Sequence, residues 1–254
     1  METKDIKTFS FKVLGSLYRA EKEEDCYLVQ IKRKDESGTA EFKTALPFID
    51  ALFDIIHNYG LENIGKINGS ELSIELDFNA SDTGTKPGGG AANEIINIFS
   101  VIHRVYRPDY KDMTQRLKAL TDGIPHFTAN AANAAAIVFN TLEYINWAGF
   151  YFMENGKLVL NAFQGKPACI EIAVGRGVCG TAVAKDEIQL VYDVHKFPGH
   201  IACDPDSRSE IVIPIHKNGA VFGVLDIDAP YTYRFTEYDA EGLTDFVQEF
   251  ERII

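Results

Sequence analysis

The stretch AVFGVLDIDAP, residues 220–230, decides the fold class of the second half of the chain. Its apolar residues predict a β-strand over Ala220–Ile227. Because side chains alternate between the two faces of a strand, Asp226 and Asp228 share one face, while Leu225 and Ile227 share the other. On a pocket-facing surface these carboxyl groups would repel each other and raise one pKa, or together hold an ammonium group. They could equally face solvent, as most acidic residues do.

The elements around this strand predict a sheet flanked by helices. Apolar residues spaced by three and four indicate a helix over Phe127–Leu142, and another helix closes the chain from Glu237 to about Arg252. A short helix is predicted around Thr181–Lys185. Further strands are predicted at Trp147–Met153, Leu158–Ala162, Ile170–Ala173, Leu190–Val191 and Glu210–His216. This order predicts an α+β domain over residues 109–254, with an antiparallel sheet flanked by helices.

Residues 1–108 form a separate region without a recognisable chemical motif. Its predicted strands are Phe9–Tyr18, Cys26–Arg33 and Leu72–Leu76, and its predicted helices are Pro47–Tyr59 and Glu94–Tyr106. The stretch NASDTGTKPGGGA, residues 79–91, predicts a flexible Gly-rich loop, since it lacks the Gly-Lys-Ser/Thr ending of a phosphate-binding loop. We expect a small α+β domain whose role the sequence does not define.

The overall charge and hydropathy exclude several classes of partner. The 254 residues carry a formal net charge of −12, which repels nucleic acid phosphates and anionic lipid headgroups. No uninterrupted apolar run approaches the ~20 residues that span a membrane. Charged residues follow Met1 at once, where a secretory signal would continue into an apolar stretch. We therefore expect a cytoplasmic protein that binds neither nucleic acid nor membrane.

The cysteines offer several chemistries. Three lie close together in the chain and one is far away: Cys169, Cys179 and Cys203, with Cys26 apart. In a reducing compartment, clustered thiols indicate metal binding, redox chemistry or simple burial. With His195 and His200 they would supply enough ligands for zinc, although the C-x-x-C pairs that are typical of structural zinc sites are missing.

Local electrostatics favour Cys179 over Cys203 as a reactive thiolate. Cys179 lies in GRGVCGTAVAK, a Gly-rich turn before the short predicted helix. A helix N-terminus and the nearby Arg176 would stabilise a negative charge there. Two aspartates beside Cys203 oppose a thiolate, whereas His200 and Arg208 would support one.

Two aromatic residues and one further acid complete the candidates. Trp147 and Tyr151 lie four residues apart in a predicted strand, so they point to the same side and could line a ligand pocket or pack in the core. Glu210 starts the apolar run IVIPI and gains interest only if it converges with the two aspartates of residues 220–230. A Ser-His-Asp hydrolase is not favoured, because no G-x-S-x-G motif is present.

Five segments resemble the free methionine-(R)-sulfoxide reductase family in order and spacing. They are NWAGFYF (146–152), FQGKPACIEIAVGRGVCG (163–180), DVHKFPGHIACDPDSRSEIVIPI (193–215), VLDIDAP (224–230) and RFTEYD (234–239). The resemblance covers about residues 112–254 and implies a GAF-like domain that reduces free methionine-(R)-sulfoxide. It also implies thioredoxin as reductant, no bound cofactor or metal, and a homodimer. The competing expectation is a non-catalytic GAF-type sensor of a small molecule or of redox state.

The resemblance implies a role for each candidate residue. Cys203 would be the nucleophile and Cys169 its resolving partner, while Cys179 would be a second thiol or an alternative attacking group. The acids of the substrate pocket would be Glu210, Asp226 and Asp228. Its aromatic walls would be Trp147 and Tyr151. The choice between Cys203 and Cys179 as nucleophile stays open, because local electrostatics favours Cys179.

Overall fold

The computed structural model describes residues 6–34, 36–63, 65–76, 89–201 and 203–254. The chain divides into two compact units, Met1–Arg104 and Val105–Ile254. Most of the Gly-rich stretch expected as a loop, residues 79–88, lies outside the described residues. Within the described ranges, none of the helices combines the length and apolar character needed to cross a membrane.

The first unit is built on one mixed sheet. Its strands are β1 (Thr8–Val13), β2 (Ser16–Lys22), β3 (Tyr27–Lys32), β4 (Ala40–Thr44), β5 (Lys66–Asn68) and β6 (Glu71–Leu76). Its helices are α1 (Ala51–Asn58) and α2 (Gly89–Tyr106), and the last two residues of α2 belong to the second unit. The strand order is β4-β3-β2-β1-β6-β5, in which β1 and β6 are parallel and the other neighbours are antiparallel. This unit therefore has the expected α+β composition.

Some expected boundaries in this unit are wrong. The stretch Phe9–Tyr18 is two antiparallel strands, because Leu14 and Gly15 both adopt positive φ angles, of 50° and 83°, and reverse the chain. Leu14 lies exposed in this turn although it is apolar, and its apolar character led to the prediction of one continuous strand. Strands β4 and β5 were not expected, and α2 begins at Gly89 rather than at Glu94.

The second unit is an antiparallel sheet flanked by helices, as the sequence predicts. Its strands are β7 (Trp147–Glu154), β8 (Lys157–Gly165), β9 (Glu171–Ala173), β10 (Gln189–Val191), β11 (Ser209–Lys217) and β12 (Ala220–Ala229). Its helices are α3 (Tyr110–Thr121), α4 (Phe127–Thr141), α5 (Gly177–Lys185) and α6 (Glu237–Glu251). The strand order is β10-β11-β12-β7-β8-β9, which places β12 and β7 at the centre of the sheet.

The two faces of this sheet bury different sets of residues. On one face, Leu225, Ile227 and Phe150 belong to a core that includes residues of α3, α4 and α6. Phe150 stacks on Phe250 of α6 with ring centroids 4.7 Å apart. Each such side chain contributes roughly 1.5–3 kcal/mol when buried. The opposite face carries a smaller core, with residues of α5, and it opens into a pocket.

Candidate active site

A pocket of about 450 Å³, its open mouth included, lies on the α5 face of the central strands. It is lined by side chains from β7, α5, the segment between β10 and β11, β11 and β12. Among the residues that line it are Trp147, Tyr151, Cys179, Cys203, Glu210, Asp226 and Asp228. The fold therefore brings together every candidate residue except Cys169, which is bonded to Cys203.

Three carboxyl groups converge on one wall of the pocket. Glu210 of β11 lies directly opposite Asp228 of β12 in the antiparallel register, and Asp226 follows two residues away on the same face. Glu210 and Asp226 are each 6% exposed. The prediction that the two aspartates share one face is confirmed, and the alternative that both face solvent is wrong. One buried oxygen of Asp226, Oδ1, has no hydrogen-bond partner.

Burial raises the pKa of each of these carboxyl groups. Removal from water raises the pKa of Glu210 well above its ordinary value, and the neighbouring Asp226 and Asp228 raise it further. Burial first, then the charges of Asp226 and Asp204, raise the pKa of Asp228 well above normal. Burial raises the pKa of Asp226 to about 6, against the effect of hydrogen bonds with Cys179 and Glu210. The cluster can therefore hold a proton near neutral pH and also attract a cation.

Cys179 is a buried thiol held against this cluster. It is the third residue of α5, and its Sγ donates a hydrogen bond to Glu210 Oε1 at 3.9 Å. Burial first, then the charges of Asp226 and Glu210, raise the pKa of this thiol well above its ordinary value. The expectation of a thiolate stabilised by the helix N-terminus is thus wrong, as is the expected helix start at Thr181. The acids of the neighbouring strands outweigh the helix dipole, and the thiol remains protonated.

Cys169 and Cys203 form a disulfide with their Cα atoms 5.6 Å apart. Cys203 lines the pocket, while the carbonyl of Cys169 accepts a hydrogen bond from the Tyr151 hydroxyl at 3.0 Å. Both cysteines are half-buried. These contacts place a disulfide-bonded cysteine pair at the edge of the acidic pocket.

Trp147 and Tyr151 form an aromatic wall of the pocket, as their spacing allows. Their rings stack with centroids 5.9 Å apart, and Trp147 stacks on Phe163 at 5.5 Å. The Trp147 Nε1 donates to the carbonyl of Lys166 at 3.1 Å, which fixes the indole ring. This arrangement confirms the prediction, made from the alternation of side chains along a strand, that Trp147 and Tyr151 point to the same side.

The pocket includes residues to which the sequence alone gave no pocket role. His200 lies with its Nε2 3.8 Å from Glu210 Oε2, and burial lowers its pKa, so its imidazole is neutral near pH 7. Asp204 and Ser207 both accept hydrogen bonds from Asn146, which ties the Cys203 segment to β7. The position of His200 three residues before Cys203 could have predicted a place for it in the pocket. Nothing in the sequence predicted such a place for Ser207.

The described residues contain one cluster that could hold a metal ion. Ligand atoms of Cys179, Glu210 and Asp226 all lie within 4.8 Å of one another. This is not the zinc set considered from the sequence, because Cys169 and Cys203 are bonded to each other. His195 instead contacts the Arg208 guanidinium at 2.8 Å. Its carboxyl oxygens can also accept hydrogen bonds from an ammonium ligand.

Gly149, between the two aromatic walls, gives a first testable prediction. A methyl group there would meet Phe163 and would lie 2.6 Å from Trp147 Cη2. We expect Gly149→Ala to displace the indole ring and to lower the free energy of unfolding by about 1–3 kcal/mol. Chemical denaturation followed by the fluorescence of Trp147, the single tryptophan, measures both effects. Gly38→Ala is the control, since nothing lies within 4 Å of that added methyl; equal behaviour of both variants would contradict the prediction.

The raised pKa of Asp226 predicts a pH dependence of stability. The carboxyl pKa is about 6 in the folded protein and near 3.8 when unfolded, so folding favours the protonated form between these values. The protonated Asp226 carboxyl therefore contributes fully to the free energy of unfolding below about pH 4. This contribution, roughly 3 kcal/mol, is lost as the pH rises through 6. We expect unfolding free energies measured from pH 4 to 8 to fall less steeply in Asp226→Asn than in the unsubstituted protein. Parallel curves for the two proteins would contradict this.

Comparison with known proteins assigns the class of this fold and site. Residues 112–254 match the model of the GAF domain family. Because this region is more than half of the chain, the chain belongs to the GAF domain family.

Relatives within this family are similar over the same share of the chain. The free methionine-R-sulfoxide reductase of Escherichia coli (strain K12) is 49% identical over 145 residues, 57% of this chain and 88% of that protein. Protein YtsP of Bacillus subtilis (strain 168) is 49% identical over 148 residues, 58% of this chain and 91% of that protein. The fRMsr of Staphylococcus aureus in complex with substrate has a TM-score of 0.56 and 44% identity, and the match covers 59% of this chain and 97% of that one. The resemblance indicated by the sequence motifs is thus confirmed.

Proposed function

We propose that this protein reduces free L-methionine-(R)-S-oxide to L-methionine. The observation that carries the proposal is the position of Cys203, a cysteine already paired with Cys169, in a pocket that is also lined by three carboxyl groups. Relatives that are 49% and 45% identical to half or more of this chain bear the name of this activity. A pocket that combines a redox pair with convergent acids is unnecessary in a sensor that only binds a ligand.

The carboxyl cluster suits a free amino acid. Free methionine sulfoxide carries an ammonium group, which a peptide-bound residue lacks. Within the cluster of Glu210, Asp226 and Asp228, Asp226 supplies the negative charge that such a group requires, because its pKa of about 6 leaves it ionised at pH 7. Its unpartnered Oδ1 offers an acceptor for one of the ammonium protons. The apolar side chain of the substrate would pack against Trp147 and Tyr151. In this way the pocket selects the unblocked amino acid.

The chemistry follows from a sulfur that becomes electrophilic when its oxygen is protonated. Glu210 or Asp228, each held protonated by its surroundings, donates to the sulfoxide oxygen. The Cys203 thiolate attacks the sulfur, methionine departs, and the oxygen stays on Cys203 as a sulfenic acid. Cys169 then condenses with that sulfenic acid, which forms the disulfide and releases water. Cys179 stays a protonated thiol and donates its hydrogen bond to Glu210.

An external dithiol must then reduce the disulfide, and we propose thioredoxin for this step. The cycle requires no bound cofactor or metal. The homodimer and the cytoplasmic location implied by the resemblance are part of the same proposal, and sedimentation analysis of the purified chain tests the first of them.

A single assay tests the proposed activity. The protein is incubated with racemic methionine sulfoxide and dithiothreitol, and the loss of each diastereomer is followed by chromatography. We expect the R form to disappear and the S form to persist, and N-acetylmethionine sulfoxide to be a poor substrate. No loss of either diastereomer, together with tight binding of a small molecule, would instead identify a sensor.

A further inference from the structure

Three exposed apolar residues lie within five positions of Cys169 or Cys203 in the chain and are together called the apolar border: Ile170, Val174 and Ile201. Ile170 directly follows Cys169 and is 72% exposed. Ile201 lies two residues before Cys203 and is 36% exposed, and Val174, which follows β9, is 41% exposed. Single exposed apolar residues are ordinary on a protein surface, but here exposed apolar residues lie close in the chain to both cysteines of the disulfide.

Backbone contacts hold this apolar border in position. The Leu160 amide donates to the Ile170 carbonyl at 2.9 Å, which ties Ile170 to β8. Val174 lies in a turn closed by the Arg176 amide and the Ala173 carbonyl at 3.0 Å, and the turn leads directly to Gly177. Ile201 packs against Gly177, where an added methyl would lie 3.3 Å from its Cδ1. The exposed apolar side chains are therefore presented by a fixed backbone.

We propose that this apolar border is the docking surface for a protein dithiol reductant. The inference rests on the proposed function, because that function leaves a disulfide that must be reduced after each turnover. A partner that stayed on the border would also cover the disulfide and stop its reduction. The occupant must therefore come and go, and it must carry its own thiols to the sulfur atoms.

The electron transfer at this surface balances with one dithiol. A thiolate of the reductant attacks one sulfur of the Cys169–Cys203 bond, and the other sulfur leaves as a thiolate. The second thiol of the reductant then displaces the first cysteine from the mixed disulfide. Two electrons and two protons pass to the enzyme, and the reductant becomes a disulfide. Both cysteines are half-buried, so a protein reductant must contact their flanking residues to reach them.

The experiment measures reduction of the oxidised protein directly, without methionine sulfoxide. Reduced thioredoxin or dithiothreitol is mixed with the protein, the reaction is quenched by acid, and alkylated Cys169 and Cys203 are quantified by mass spectrometry. We expect Ile170→Glu and Val174→Glu to slow reduction by thioredoxin about tenfold each. Reduction by dithiothreitol should change by less than about twofold, because a small thiol does not need the border.

Matched variants separate docking from other effects. Ile170→Leu keeps the apolar area and should retain the unsubstituted rate, and Leu120→Glu places the same charge at a residue of α3 that is 53% exposed. The proposal is overturned if Ile170→Glu keeps the full rate with thioredoxin, or if both reductants slow equally. A changed oligomeric state of Ile170→Glu would also overturn it, because the border would then be an interface between copies. If the proposed function itself is wrong, the protein will not reduce methionine sulfoxide with dithiothreitol, and this result is distinct from the outcomes above.

Discussion

The Cys203→Ser protein is expected to lose sulfoxide reduction almost completely, with kcat/KM lowered by about 10⁴-fold or more. A hydroxyl is a far weaker nucleophile than a thiolate, and the Cys179 thiol cannot replace it. Burial and the adjacent acids keep Cys179 protonated, since they raise its pKa. The steady-state rate with dithiothreitol measures the loss. Trapping with a carbon nucleophile and mass spectrometry should show no sulfenic acid in this variant.

The resolving partner gives a complementary result. Cys169→Ser should convert about one equivalent of substrate per protein in the absence of reductant and accumulate a sulfenic acid on Cys203. Cys26→Ser is the control, because Cys26 belongs to the first unit and its buried thiol has a pKa raised to about 12. An active Cys203→Ser, together with an inactive Cys179→Ser that forms no sulfenic acid, would reassign the attack to Cys179.

The parts of the site that depend on one strand were predictable from sequence. Asp226 and Asp228, and likewise Trp147 and Tyr151, point to one side because the strand alternation has a strict period of two. Such a pattern needs no knowledge of the neighbouring elements. It is also robust to the irregular register between β7 and β8 that occurs between Gly149 and Tyr151.

The properties of Cys179 were not predictable in the same way. Its local sequence suggested a stabilised thiolate, but its pKa depends on Glu210 and Asp226, which arrive from distant strands. The free energy of burying a charge exceeds the effect of a helix N-terminus, so tertiary packing reverses the local expectation. Only the register of β11 and β12 shows which charges face the thiol.

Helix α3 was not predicted, although its sequence carries the spacing of an amphipathic helix. Its buried residues are Tyr110, Met113, Leu117 and Thr121, spaced by three and four, among exposed polar neighbours. The spacing is that of an amphipathic helix, and Asp109 accepts a hydrogen bond from the Asp112 amide at its start. The low apolar content of the helix hid the pattern. The spacing of the apolar residues, rather than their number, predicts this helix.

The second large effect is expected from Glu210→Gln. The amide keeps the size of the side chain but removes the acidic proton that Glu210 offers to the sulfoxide oxygen. A general acid typically contributes about 10²- to 10⁴-fold to the rate, so kcat/KM should fall by about 10²-fold or more. Steady-state kinetics with free methionine-(R)-sulfoxide measures this. Glu171→Gln is the control, because Glu171 is an exposed residue paired with Lys157.

The same substitution should raise thermal stability while activity falls. Without substrate, Glu210 lies opposite Asp228 and beside Asp226, and burial and repulsion raise its pKa well above normal. The amide cannot ionise, so it avoids the burial and repulsion that an ionised Glu210 meets as the pH rises, and the melting temperature of Glu210→Gln should exceed that of the unsubstituted protein at about pH 9. A cluster whose role was structural would lose stability on the same change. A lower melting temperature, or unchanged kinetics, would therefore refute the assignment of these acids to substrate binding.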